Sequence, residues 1–140
     1  MEIQHTLQRR PVWMVMVLAL VLVWVFEASA YESIVNRENA VMVGVQPEQL
    51  VNGQPVKFSV RMNTHSVPLT EDMVTASVLR DDTGKTYQPV TWRGSPAGGH
   101  HRRGTLEFPA LEGSPQKVRL VIRNVSDVPE RVFEWEMGEN

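Results

Sequence analysis

The chain predicts an all-β fold, a seven-stranded immunoglobulin- or fibronectin-like antiparallel sandwich preceded by one N-terminal apolar helix. Three observations lead there. Between Val41 and Met137 apolar residues recur at every second position in short runs, the rhythm of half-buried strands. Turn-forming residues separate the runs at regular spacing, and no stretch between them carries a helical period. Before them, Pro11 to Phe26 is apolar and uncharged, with Arg9 and Arg10 ahead of it and Glu27 behind.

That N-terminal run supports two readings, and both place the rest of the chain outside the cytoplasm, because basic flanks stay inside. Ala28-Ser29-Ala30 fits a small-x-small cleavage site, which would make residues 1–30 a signal peptide and the mature protein secreted. Trp13 and Trp24 bracket the run as interfacial anchors would, which favours a retained single transmembrane anchor over residues 11–26. Residues 31–39 then form a linker, and residues 40–140 the sandwich domain in the periplasm or at the cell surface.

The strands follow in order. Val41, Val43 and Val45 alternate in the first. Val56, Phe58, Val60 and Met62 alternate in the second, against Lys57, Ser59 and Arg61, with Pro47 and Asn52-Gly53 as turn chemistry between the two. Val74, Ala76 and Val78 make the third. Asp81-Asp82-Thr83-Gly84 turns the chain into a fourth that carries Tyr87, Val90 and Trp92, where Pro89 implies an edge or a bulge. Leu106 and Phe108 form a short fifth. Val118, Leu120 and Ile122 form the sixth, and Phe133, Trp135 and Met137 the seventh.

Composition narrows the function classes. The 140 residues carry 14 Lys plus Arg against 16 Asp plus Glu, spread along the chain, so no nucleic-acid footprint is present. The absence of cysteine removes disulfides, thiolate nucleophiles and thiolate metal sites together. No Gly-x-Ser-x-Gly elbow accompanies Ser66 or Ser95, and an enzyme is not expected.

Candidate chemistry gathers in Ser95 to Gly104, Ser-Pro-Ala-Gly-Gly-His-His-Arg-Arg-Gly. Strand parity places the loop around His65 (63–71), the loop holding His100 and His101 (93–103) and the loop at 125–130 at one end of the sandwich. It also places the start of the first strand there, so a retained anchor would turn these loops toward the membrane. Three imidazoles from converging loops suit copper or zinc. Met62 is in phase with the core and reads as packing. Arg93, Arg102 and Arg103 suit an anion or a partner's acidic groups. The plainer alternative is structural, with Thr64 and Ser66 capping turns and His65 bridging the loops.

In architecture the layout resembles small periplasmic copper-binding sandwiches: an export signal, a cysteine-free β domain of about 110 residues, and His with Met near its loops. The leading expectation is an exported, membrane-tethered accessory or interaction domain without catalytic activity. Its His/Arg pole would face a membrane or periplasmic protein partner. The alternative is a periplasmic carrier or sensor of copper or zinc through His65, His100 and His101.

Overall fold

A computed structural model describes residues 31–138. The predicted apolar helix, and with it the question of signal or anchor, lies outside the described residues. Among the described residues no helix is long and apolar enough to cross a membrane.

The chain is all-β and builds two antiparallel sheets. Its strands are β1 (Ile34–Glu38), β2 (Val41–Gln49), β3 (Pro55–Thr64), β4 (Ser77–Asp81), β5 (Thr86–Tyr87), β6 (Thr91–Gly94), β7 (His101–Ala110), β8 (Lys117–Val125) and β9 (Val128–Glu136), with a single helical turn α1 (Met73–Ala76) before β4. One sheet has the order β1-β2-β3-β7-β6 and the other β5-β4-β8-β9. Both turn their apolar positions into one core, as in a sandwich. Phe58 of β3 packs edge-on to Phe108 at 6.0 Å and lies 5.2 Å from Trp135 of β9, so a single aromatic cluster joins the two layers.

The alternation read from the sequence is the alternation of burial. Val41, Val43 and Val45, then Val56, Phe58, Val60 and Met62, then Leu106 and Phe108, then Val118, Leu120 and Ile122, then Phe133 and Trp135 are all buried. Met62 is core, as its phase implied.

Five stretches differ from expectation. The expected linker 31–39 contains β1, paired along β2 from Ile34↔Val45 to Glu38↔Val41. Its inward positions are Ile34, Asn36 and Glu38, so it carries no apolar alternation to read. The expected third strand begins later, because the Asp72 carboxylate accepts from the amides of Val74 (2.9 Å) and Thr75 (3.4 Å) and caps α1 through Val74 and Ala76. The expected fourth strand is two strands in different sheets. The chain crosses between layers at Gln88-Pro89-Val90, which leaves Val90 66% exposed rather than buried.

The expected loop 93–103 is shorter, residues 95–100, since β6 runs to Gly94 and β7 starts at His101. The expected loop 125–130 is a two-residue turn, Ser126-Asp127, between Val125 and Val128. Nine strands, rather than seven, are therefore present among the described residues.

The additional strand β1 reverses where the chain enters. Tyr31 lies beside the end of β2, where its hydroxyl donates to the Leu50 carbonyl (3.1 Å) and accepts from the Gly138 amide (3.1 Å). Entry and exit thus share one pole, whereas the β1–β2 turn and the end of β3 lie at the other. An anchor preceding Tyr31 would leave the histidine pole on the far side from the membrane, the reverse of the expectation. The two poles are separated by about the length of β2, ~30 Å for nine residues.

Two local devices give testable consequences. The β1–β2 connection is a two-residue turn with Asn39 at φ 46° and Ala40 at φ 61°. Both central residues are left-handed, as a hairpin of this hand requires, but alanine is disfavoured there. Ala40→Gly is expected to raise stability by about 0.5–1 kcal/mol in urea unfolding, with an unchanged m-value.

At the opposite pole Asp81 organises the β4–β5 hairpin. Its carboxylate accepts from the Thr83 amide (2.9 Å) and hydroxyl (2.7 Å), the Lys85 amide (3.0 Å) and the Tyr87 hydroxyl (2.9 Å). Burial alone would raise its pKa, but these hydrogen bonds outweigh it and hold the group below the ordinary carboxylate value. The stabilisation is therefore present above the unfolded-state pKa and is lost as pH falls through the lower folded value. Asp81→Asn should cost about 2 kcal/mol at pH 7 and flatten the loss of stability below about pH 4, read from unfolding curves at stepped pH.

Candidate functional site

The loops at the far pole are stapled through their backbones. The Thr64 amide donates to the His100 carbonyl (3.0 Å), Leu69 to Gly99 (2.9 Å), and Gly98 back to Leu69 (2.7 Å). Gly98 and Gly99 have φ of 109° and 71°, values that allow the chain to turn back into β7 and that other residues rarely adopt. The Thr64 hydroxyl accepts from the amides of Ser66 (3.3 Å) and Val67 (3.4 Å), which is the turn cap expected of it. A side-chain link between the adjoining strands is made by Asn63 of β3 and His101 of β7, where His101 Nδ1 lies 2.8 Å from Asn63 Oδ1.

Register decides which basic residues face inward. Met62 pairs with Arg102, so Arg102 enters the sandwich and is 3% exposed. Its guanidinium donates to the carbonyls of Leu69 (3.2 Å), Glu71 (2.7 Å) and Ser95 (3.5 Å) and lies 5.8 Å from the Trp92 ring centroid. The Trp92 indole N–H donates to the same Ser95 carbonyl (2.9 Å). Burial lowers the Arg102 pKa, while the charges of Glu71 and Asp72 oppose that shift. Arg102, expected as a contact for an anion or partner, is instead an internal clamp on the two loops that the sequence brought together.

The other candidates point outward. His101 and Arg103 lie on the outer face of the five-stranded sheet, directly opposite Asn63 and Arg61. Arg93 is on the same face, its Nε 4.0 Å from Glu107. Arg61, Asn63, Ser95, His101 and Arg103 line a cleft of about 480 Å³. His65 lines a neighbouring depression of about 430 Å³ with Arg37, Asn39 and Met42. His100 is exposed, one residue out of phase with His101.

The three imidazoles thus share a pole, as strand parity required, but His65 and His101 open onto different depressions. Among the described residues no three His, Asp or Glu side chains gather closely enough to hold a metal ion. The Ser95 hydroxyl is tied into backbone, accepting from the Arg103 amide and donating to the Arg103 carbonyl, both at 3.2 Å.

The two outer faces treat their charges differently. On the four-stranded sheet, β8 and β9 set opposite charges across from one another. Lys117 meets Glu136 (3.2 Å), Arg119 meets Glu134, and Arg123 meets Glu130 (3.7 Å), with Arg80 also on Glu130 (3.2 Å). On the five-stranded sheet Arg61 faces Arg103, and neither these two nor Arg37 has a carboxylate within 4.0 Å among the described residues. Sequence reasoning singled out Arg103 and passed over Arg61. The only local signal for Arg61 was its place beside Lys57 and Ser59 on the polar side of its strand, and its partner lies in a distant segment.

Comparison with protein-family models, with curated proteins and with solved structures finds no match.

Proposed function

We propose that residues 31–138 are an immunoglobulin-like interaction module of an exported, membrane-tethered protein, without catalytic activity, whose His/Arg pole engages an acidic partner. Strand order supports the fold assignment. β2-β3-β7-β6 and β5-β4-β8-β9 follow the A-B-E-D and C′-C-F-G order of that sandwich, with β1 added outside the first strand.

The observation that carries the functional reading is the contrast between the faces. One sheet neutralises its cations strand by strand, and the other leaves Arg37, Arg61 and Arg103 open beside the stapled loops. Uncompensated positive charge on a rigid sheet steers and orients an acidic partner. The chain enters at the opposite pole, and the Arg61–Arg103 pair lies ~17 Å along the strands from that end, on a face open to a neighbouring protein.

The test is photo-crosslinking in cells with the full chain, using Thr105→p-benzoylphenylalanine on the open face and Val132→p-benzoylphenylalanine on the neutralised one. A discrete adduct at 105, absent at 132 and weakened as NaCl rises from about 0.05 to about 0.5 M, is the expected result. Equal labelling at both positions, or none at 105, rules the reading out.

A further inference from the structure

We propose that the cleft between Arg61 and Arg103 binds a phosphate-type oxyanion, and that this is the chemical group the pole recognises; the inference rests on the pole being the working face. Arg61 and Arg103 are direct cross-strand neighbours in the antiparallel register of β3 and β7. Like charges in that relation repel at the closest side-chain spacing a sheet offers. The other sheet also sets Arg80 opposite Arg119, but there each guanidinium has a carboxylate beside it, Glu130 for Arg80 and Glu134 for Arg119. Here no carboxylate of the described residues comes within 4.0 Å of either arginine.

An arrangement that costs stability in the free protein is relieved when an anion sits between the two guanidiniums. Each guanidinium presents a planar fork of donors. Two forks facing one cleft suit a tetrahedral dianion, which offers oxygens to both, whereas a single carboxylate is matched by one fork. The cleft, about 480 Å³, falls within the range that accepts a small ligand or its headgroup. Asn63 and His101, held together at 2.8 Å, make one wall of it. Ser95, bound through its hydroxyl to the Arg103 backbone, makes another.

The Arg61–Arg103 pair lies level with Gly44 of β2, ~17 Å along the strand from Gln49 at the end where the chain enters.

The test uses the full chain in maltoside micelles with inorganic phosphate as the probe. Tm should rise and saturate with phosphate concentration. The apparent affinity should fall at least tenfold in Arg61→Gln and in Arg103→Gln and stay unchanged in Arg119→Gln. In phosphate-free buffer Arg103→Gln should melt no lower than the parent, which shows that the variant is folded. A rise that does not saturate, or one that is equal in parent, Arg61→Gln and Arg103→Gln, overturns the proposal.

Two arms separate the sources. Co-sedimentation with phosphatidic acid vesicles but not with phosphatidylcholine vesicles, competed by free phosphate, identifies a lipid headgroup. A phosphate-dependent Tm without vesicle capture identifies a soluble phosphate. If phosphate has no effect while the crosslink at 105 persists, this inference fails and the interaction module stands; loss of both removes both.

Discussion

Arg131→Met should lower stability by about 3–5 kcal/mol, enough to bring the melting point of a domain this size down by more than about 10 °C. Arg131 lies on β9 in phase with Phe133 and Trp135, and it is 0% exposed. Its guanidinium donates to the carbonyls of Glu38 (2.9 Å), Val125 (3.2 Å) and Val41 (3.5 Å) and to the Asn36 side chain. These acceptors come from β1, β2 and β8, so one side chain ties the ends of two hairpins in opposite sheets. The reciprocal bonds between Asn39 and Ser126, at 3.3 and 2.9 Å, join the turns just outside it.

Methionine fills much of the volume but donates nothing, and it leaves several buried carbonyls without a partner. Burial already lowers the Arg131 pKa, with Glu38 and Glu71 opposing the shift, so this is a charge held by dipoles and distant carboxylates. Differential scanning calorimetry of the full chain checks the expectation. A loss under about 1 kcal/mol would show that hydrophobic packing at the site matters more than its hydrogen bonds.

Gly104→Val is expected to cost about 3 kcal/mol and to loosen the 95–100 loop selectively. Gly94 and Gly104 face one another where β6 meets β7. A Cβ at Gly104 would stand 2.5 Å from the Arg93 carbonyl oxygen, 2.6 Å from the Gly94 Cα and 2.8 Å from the Trp92 ring. Two of these are backbone atoms, which move only if the strands part. The third belongs to the indole that anchors Ser95 and stacks with Arg102. Displacing it should release the loop ahead of the sheet, so amide exchange at Gly98, Leu69 and Ser95 should accelerate more than exchange at Leu106 or Leu120. Uniform acceleration across the domain would contradict that order.

The sandwich was legible because five of its strands carry their own periodicity. In β2, β3, β7, β8 and β9 apolar side chains recur at every second position over most of the strand, with Arg102 and Arg131 as polar members of the inward rows, and burial follows that phase. The strands that were missed or misplaced lack that signal. β1 turns Asn36 inward because a partner from β9 meets it, and β5 and β6 share a run that looked continuous until Pro89 and Val90 were seen to cross between sheets. The Asp72 cap competed with strand propensity at Val74 and Ala76, and the short-range hydrogen bonds won.

The site divides the same way. Parity alone brought His65 to the pole of His100 and His101, and a strand added ahead of the first could not disturb it. Parity could not assign Arg102, because a guanidinium in the inward phase of β7 looks like loop composition in sequence. Nor could it show that Arg61 faces Arg103, since the register between β3 and β7 is set over a long separation in chain by the whole core.

From its residues alone this chain determined an all-β core and the convergence of three histidines on one pole, because these depend on local alternation and on counting reversals. Tertiary structure decided which pole the chain enters, which arginines are buried clamps and which are open, and that the imidazoles line separate depressions. Those outcomes depend on cross-strand register and on β1, and register is an energy shared among distant segments rather than a property any one of them carries.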